Sequence, residues 1–192
     1  MLPEPIPRLT VEQYQQMTAA GVLTAEDRIE LIEGWLVEKP PQSPRYCSTI
    51  DRCCERLRRA IPQGWYVRTH GSLVTPDSLP EPAVAVVPGS PDTYMRRHPS
   101  GKDAALIVEV ADTRLAFDHQ KAFIYARGGV ENFWIVNLID RQLEVYREPR
   151  PDKGDYREHR ILMTGDEAEF SLPTGQLLKL DVAYLLPKKA PN

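Results

Sequence analysis

Cysteine is scarce in this chain of 192 residues, and its three copies, Cys47, Cys53 and Cys54, fall within one short segment. An odd number of cysteines in one predicted helix does not form a disulfide framework. A zinc site would need a second group of ligands, and the four histidines show no such spacing. We therefore predict that the three thiols are buried structural side chains.

The sequence also lacks any apolar stretch that approaches the ~20 residues of a membrane helix. Its start, MLPEPIPRLT, has neither the basic nor the apolar region of a signal peptide. We therefore expect a soluble cytoplasmic protein with no membrane partner. A glycine-rich phosphate loop and a G-x-S-x-G motif are missing too, which argues against a nucleotide-driven enzyme and against a serine hydrolase.

An excess of positive charge is missing as well, because the formal net charge is −3 at pH 7. Proteins that bind nucleic acid without sequence preference usually carry a basic surface, since neutralised phosphates supply most of their affinity. Two local basic clusters are present, at Arg52, Arg56, Arg58 and Arg59 and at Arg96, Arg97 and His98. Clusters of this size are more typical of solvated faces, so charge alone argues weakly against a nucleic-acid partner.

Length and composition are those of one globular domain. Hydrophobic residues make up 42% and charged residues 27%, which is ordinary for a folded chain. The 18 prolines, about twice the usual share, fall at the termini and in connectors and therefore mark loops. We predict a flexible N-terminal segment (1–8), one domain (9–187) and a C-terminal tail (188–192).

Local patterns near the start of the chain predict two helices and a hairpin. Thr10 and Gln13 have the spacing of a capping box, so a short helix is expected to begin there. In RIELIEGWLVEK, apolar residues flank Glu33-Gly34 on both sides, which predicts a β-hairpin. Apolar residues spaced three and four apart predict an amphipathic helix over about residues 46–61.

The remainder of the chain is predicted to form strands around one longer helix. Strands are expected at 65–70, 83–87, 104–111, 132–138, 156–163 and 167–172, and a further strand after 138 returns antiparallel. Two of them, AVAVV and AALIVEVA, are almost entirely apolar, as in central strands covered on both faces. A helix is expected from Phe117 or Asp118 to Gly128, and a short one at 181–186. These elements predict an α/β or α+β domain with a mixed sheet and helices on both faces.

Glu109 is the residue that most suggests a functional site, because it interrupts the apolar strand LIVEVA. A carboxylate in such a strand is costly unless it is paired, hydrogen-bonded or bound to a metal ion. Asp112, Asp118 and Lys121 follow it, and the last two are three residues apart at a helix start and therefore share a face. One interpretation is a Mg²⁺ site with a lysine that steers a water molecule. The alternative is an internal salt bridge of Glu109, with Asp118 as the helix N-cap.

Glu30 interrupts the apolar sequence IELIEG in the same way. It is either a third acid of the same site or the outward residue of a half-buried strand, and alternation alone favours the second interpretation. The residues by themselves therefore leave its membership in a site open.

Five segments occur in an order that identifies a family. They are LTVEQYQQM, IELIEGWLVEK, PEPAVAVVPGSPDTYMRRHP, LIVEVADTRLAFDHQKAFIYARGGVENFWIVNL and RQLEVYR, and they cover most of residues 9–148. The chain resembles the Uma-type (Uma-two) family of restriction endonucleases, a branch of the PD-(D/E)XK nuclease superfamily. This resemblance implies a restriction-endonuclease-like α/β fold. Its mixed central β-sheet would be flanked by helices, with an N-terminal helix and a β-hairpin.

The resemblance also implies a metal-dependent phosphodiesterase site that acts on DNA. Its acids would be Glu30 and Glu109, with Glu109 as a ligand of Mg²⁺ or Mn²⁺, and its catalytic lysine would be Lys121 on the helix. Asp112 and Asp118 would support this site.

Three positions depart from the family pattern. Ala83 stands where the pattern P-E-P-D has the main metal-binding aspartate, Leu79 where a second acid is common, and Arg45 where a histidine is common. Glu81 is a candidate substitute, although it lies two positions before the missing aspartate. The expected function is therefore a metal-dependent endonuclease that is weakened or inactive. The alternative is a non-catalytic nuclease-fold protein with a nucleic-acid-binding or regulatory role.

Trp35 and Trp134 leave the oligomeric state open. An exposed apolar surface around them would support a homodimer, whereas burial in the core would give them a structural role alone. Nothing in the sequence resembles a zinc finger or a helix-turn-helix that would read bases.

Overall fold

The computed structural model describes residues 7–187, which form four α-helices and ten strands. In chain order these are α1 (Val11–Ala19), β1 (Ile29–Ile32), β2 (Trp35–Glu38), α2 (Pro44–Ala60), β3 (Trp65–Thr69), β4 (Val84–Pro88), β5 (Leu106–Ala111), α3 (Leu115–Arg127), β6 (Asn132–Asn137), β7 (Gln142–Arg150), β8 (Asp155–Leu162), β9 (Glu167–Ser171), β10 (Leu177–Asp181) and α4 (Val182–Leu185). The expected tail (188–192) and most of the expected N-terminal segment (1–8) lie outside the described residues, and the limits of the expected domain (9–187) stay a prediction. Within the described part, no helix is long and apolar enough to cross a membrane.

The N-terminal helix and hairpin form as their sequences predict. Thr10 Oγ1 accepts the Gln13 N–H over 3.1 Å, and the Gln13 side chain accepts the Thr10 N–H over 2.9 Å, which completes the capping box of α1. β1 and β2 pair antiparallel. Glu33 and Gly34 join them with φ angles of 49° and 80°, as the two left-handed residues of a type I′ turn require.

Six strands form the central sheet, in the order β3-β4-β5-β6-β7-β8. β5 and β6 pair parallel and the other neighbours pair antiparallel, so the sheet is mixed. A parallel pair needs a crossover connection, which α3 supplies. Every residue of β5 is buried, and so are the first four residues of β4, which confirms that these two apolar strands are central and covered on both faces. β6 is buried throughout as well.

Different elements cover the two faces of this sheet. On one face, α2, α4 and the β9–β10 hairpin share a core with the sheet, and the rings of Trp134 and Phe170 meet edge to face with centroids 5.6 Å apart. On the other face, Tyr125 of α3 packs on Phe133 of β6, with ring centroids 4.9 Å apart. The predicted mixed α/β sheet with helices on both faces is confirmed.

Two helices start earlier than their patterns predict. Ser43 Oγ accepts a backbone N–H of the first turn of α2, and Pro44 needs no partner at the first helical position, so α2 begins there. α3 begins at Leu115, with Arg114 before it. The interpretation of Asp118 as the N-cap of this helix is therefore wrong, because Asp118 already lies within the helix and is buried.

The cysteine prediction is correct for two of the three thiols. Cys53 and Cys54 are buried in the core on the α2 side of the sheet, and burial raises the pKa of the Cys53 thiol to about 12. Cys47 is exposed, so the prediction is wrong for this residue. It lies in the first turn of α2, ahead of the buried positions that begin at Thr49.

Candidate active site

A lysine lies between two glutamates in the interior of the molecule. Lys121 Nζ is 3.0 Å from the Glu30 carboxylate and 3.1 Å from the Glu109 carboxylate. The three side chains are 6%, 3% and 5% exposed, so little solvent screens their charges. The structure thus brings together the three residues predicted as catalytic, and Glu30 faces inward rather than outward.

The local sequence explains how these side chains meet. Along β5, Glu109 follows Ile107 by two residues, and both therefore face α3. On α3, Asp118, Lys121 and Tyr125 are spaced three and four apart and are all buried. The predicted shared face of Asp118 and Lys121 is confirmed, and Tyr125 extends it by one helical turn.

One oxygen of the Glu109 carboxylate accepts hydrogen bonds from two side chains of α3. Tyr125 OH donates to Oε1 over 2.6 Å, and Lys121 Nζ donates to the same oxygen. Burial, with the charge and hydrogen bond of Glu109, raises the pKa of Tyr125 well above its usual value, so the phenol remains a donor. Sequence reasoning missed Tyr125, although its position four residues after Lys121 indicates a shared face.

The segment before β4 supplies backbone donors to the two acids. The Glu81 N–H donates to Glu30 Oε2 over 3.0 Å, and the Ala83 N–H lies 3.4 Å from Glu109 Oε2. Pro82 between them has no N–H, so the alternate residues of this segment each bind one acid. The Ala83 side chain is fully buried and packs in the apolar core. At the position where the resemblance implies an aspartate, this chain therefore offers Glu109 only a main-chain group.

The residues beside this position are engaged elsewhere. The Glu81 carboxylate forms an ion pair with Lys39 Nζ. Leu79 is buried in an apolar cluster, and its N–H donates to the Leu31 carbonyl over 2.8 Å. The candidate substitute and the candidate second acid position thus provide no free carboxylate next to Glu109.

A cavity of about 590 Å³ borders the acid pair. Glu30, Glu109 and Lys121 line it, and so does Asp112. The Asp112 carboxylate accepts a hydrogen bond from Ser43 Oγ over 2.5 Å and lies 3.7 Å from a guanidinium nitrogen of Arg45. Arg45, at the position where the family pattern has a histidine, therefore helps to neutralise one acid of the cavity.

The buried charges favour one protonation state of the cluster. Burial alone would lower the pKa of Lys121, but the carboxylates of Glu109, Glu30 and Asp118 outweigh it and raise that pKa, so the ammonium stays charged. Burial raises the pKa of Asp118 to about 8, and the charges of Glu109 and Glu30 add to this effect against the opposing charge of Lys121. The surroundings therefore favour the protonated form of Asp118 and the charged form of Lys121.

These residues do not fit a bound divalent ion. Within 7–187, no three His, Cys, Asp or Glu side chains are arranged to hold a metal ion. Lys121 already contributes the cation that the two carboxylates share, and Ala83 contributes no ligand. Mg²⁺ needs nearly octahedral oxygen coordination, whereas Glu109, the predicted metal ligand, contacts an ammonium, a phenol and a backbone N–H.

Replacing Asp118 with Asn is expected to stabilise the protein increasingly as the pH rises from about 4 to about 8. Because the folded pKa lies above the unfolded one, the native state holds more protons in this window, so its stability falls with rising pH and levels off above it. Asn has no proton to lose, and we expect a gain of roughly 1–3 kcal/mol in the free energy of unfolding at the upper end.

Chemical denaturation at about pH 5 and about pH 9 measures this difference. Asp152→Asn, at an exposed residue of the turn between β7 and β8, is the control, and its effect should not change with pH. If the advantage of Asp118→Asn does not grow with pH, Asp118 is not protonated in the native state.

Comparisons with known proteins agree with this architecture. A family model described as "Uma2: Putative restriction endonuclease" matches residues 11–183. The chain is also similar to a crystal structure described as a putative nuclease belonging to DUF820 from Anabaena variabilis ATCC 29413, at 16% identity and a TM-score of 0.69. That similarity covers 94% of this chain and 97% of the other, so the two share a fold over nearly their whole lengths. Curated proteins give no match.

Proposed function

Because the chain belongs to the Uma2 restriction endonuclease family, we propose that it is a nuclease-fold protein whose metal-dependent cleavage of DNA is weakened or lost. The observation that carries this proposal is the contact of Lys121 with both Glu30 and Glu109. The ammonium neutralises much of the negative charge that would attract a divalent ion. Ala83 removes the further carboxylate that the family pattern places beside Glu109.

The chemistry of phosphodiester hydrolysis explains why this arrangement is unfavourable. A divalent ion would neutralise charge that develops on the phosphate and would lower the pKa of the attacking water. In this chain, Glu109 and Glu30 instead hold Lys121 in place, and Tyr125 fixes the Glu109 carboxylate. Reorganising this buried cluster to accept Mg²⁺ would separate an ion pair in a site of low dielectric, which is costly.

Metal titration and a cleavage assay on the native chain test the proposal. In calorimetric titrations with Mn²⁺, the native chain and Glu109→Gln should give the same heat. Both proteins should leave supercoiled DNA uncut in Mg²⁺ and in Mn²⁺. Glu109→Gln is the matched control because it keeps the size of the side chain and removes its charge. Metal-dependent cleavage by the native chain that Glu109→Gln abolishes and that Ala83→Asp does not increase would overturn the proposed weakening.

A second candidate function is metal-independent binding of nucleic acid at the cavity. Arg28 and Arg114 both line it, and neither forms a salt bridge with another residue in 7–187. The Arg28 guanidinium donates to the Pro40 carbonyl, and that of Arg114 donates to the Glu38 carbonyl over 3.0 Å. Carbonyl partners leave the full positive charges available, and arginine matches phosphate oxygens in charge and geometry.

Replacing both Arg28 and Arg114 with Gln is expected to weaken DNA binding about tenfold at moderate salt, because two phosphate contacts are lost. The slope of log affinity against log salt concentration should become less steep by about 2, since each lost phosphate contact removes about 0.9 from it. Fluorescence anisotropy of labelled duplex DNA in EDTA measures both effects. Arg96→Gln is the control, since Arg96 is exposed and does not line the cavity. Equal losses in the control and the cavity variant would contradict binding at the cavity.

A further inference from the structure

One edge of the central sheet is open in the structure. β8 is the last strand of the six, and among residues 7–187 no strand pairs with its outer edge. Its central residues, 157–161, are all exposed. Exposed edge strands offer unpaired backbone N–H and C=O groups to other strands, and proteins usually protect them or use them for association.

β8 carries residues of opposite charge on one face of the sheet. Glu158 and Arg160 are two residues apart and therefore point to the same face of the sheet. Neither forms a salt bridge with another described residue, whereas Arg157 lies 3.6 Å from Glu148 of β7. Glu158 lies opposite Arg147 of β7 but forms no salt bridge with it, so β8 carries, side by side on one face, a carboxylate and a guanidinium that have no ion-pair partner among residues 7–187.

A twofold axis restricts how two copies of β8 can pair edge to edge. In an antiparallel pair, residues directly opposite each other point to the same face of the sheet. An axis normal to the sheet leaves every residue on its own face. A residue can therefore be opposite only itself or a residue an even number of positions away.

These even registers differ in the charges that they bring together. A register centred on Glu158 places two carboxylates opposite each other, and one centred on Arg160 places two guanidinium groups opposite each other. The register centred on His159 places Glu158 opposite Arg160 on both sides of the axis. Among the residues of β8, this is the one even register that gives Glu158 a cationic partner.

We propose that β8 is a homodimerisation edge, which pairs antiparallel with β8 of a second copy so that Glu158 lies opposite the partner's Arg160. The two sheets then continue into one another across the axis. The occupant is a second copy of this chain because the charge pattern is complementary to itself in this register. This interface does not depend on the proposed loss of cleavage.

The two tryptophans considered for a homodimer surface, Trp35 and Trp134, lie outside this edge. Trp134 is 1% exposed and packs in the core, so of the two alternatives for this residue the structural role holds. Trp35 is exposed, and the guanidinium carbon of Arg8 lies 5.7 Å from the centroid of its ring.

Charge reversal on β8 tests the interface through the dimer dissociation constant. Sedimentation velocity on the native chain should show a monomer–dimer equilibrium that depends on protein concentration. Glu158→Arg and Arg160→Glu should each weaken the dimer by about tenfold or more, because each places like charges opposite one another twice. The double variant, Glu158→Arg with Arg160→Glu, should restore dimerisation to near the native level.

A matched control separates this effect from a change in net charge. Asp152→Arg makes the same change of charge as Glu158→Arg at an exposed position outside β8, and its dimerisation should equal that of the native chain. Far-ultraviolet circular dichroism shows that each variant is folded. A monomeric native chain, a dimer that the single reversals do not weaken, or a folded double variant that stays monomeric would each overturn the proposal.

Discussion

Replacing Ala83 with Asp is expected to lower the stability of the metal-free protein and to create a response to Mn²⁺. The Ala83 side chain is fully buried. Val84 lies opposite Val108 in the antiparallel pair of β4 and β5, and the same register places Ala83 opposite Glu109, so the new carboxylate would lie close to that of Glu109. An additional buried charge without a partner costs several kcal/mol. A divalent ion that two carboxylates share would offset this cost, and the variant should therefore bind Mn²⁺ where the native chain does not.

Thermal unfolding in EDTA and in Mn²⁺ measures the effect. We expect Ala83→Asp to unfold at a lower temperature than the native chain in EDTA and to recover part of the difference in Mn²⁺. Because binding to the native state stabilises by RT ln(1 + [L]/Kd), a metal concentration about 100 times Kd gives about 2.7 kcal/mol. Cleavage of supercoiled DNA in Mn²⁺ is the second readout and should appear in the variant alone.

Two further variants give this experiment its controls. Ala83→Asn has the same size without the charge, so it should destabilise without a recovery in Mn²⁺. Adding Glu109→Gln to Ala83→Asp should abolish the recovery, because Glu109 provides the other carboxylate. If Ala83→Asp shows no greater response to Mn²⁺ than Ala83→Asn, then this position is not the one at which the metal site was lost.

Much of the candidate site could be predicted because charged residues in apolar strands are conspicuous. Glu109 interrupts a strand that is buried throughout, and such a carboxylate requires a partner wherever the strand is placed. Asp118 and Lys121 could be assigned to one helix face from their spacing alone. The central sheet with two covered faces could be predicted as well, because a strand that is apolar at every position has no face that suits exposure to solvent.

Other features depend on contacts between distant segments and could not be predicted from local pattern. Glu30 lies in an alternating strand, and only the position of Lys121 on α3, 91 residues later, makes its inward orientation favourable. α3 begins after Arg114 without a side-chain cap, so local capping patterns do not mark its start, and Asp118 lies buried within the helix. The backbone donors at Glu81 and Ala83 are invisible in a sequence, because any residue but proline has an N–H.

Replacing Lys121 with Met is expected to destabilise the protein by about 3–5 kcal/mol near neutral pH. The substitution keeps a long apolar chain but leaves Glu30 and Glu109 buried together without their shared cation. Lys153→Met, at an exposed residue of the turn before β8, should change the stability by less than about 0.5 kcal/mol.

A second substitution turns this experiment into a test of the contact itself. In the native background, Glu30→Gln removes one partner of Lys121 and should destabilise the protein. In the Lys121→Met background, the same Glu30→Gln removes one of two uncompensated carboxylates and should stabilise it. The sign of the effect therefore reverses only if Lys121 is the cation that balances the acid pair. An effect of the same sign in both backgrounds, measured by chemical denaturation, would show that the acids are balanced in another way and would remove the main support for the proposed weakening of metal binding.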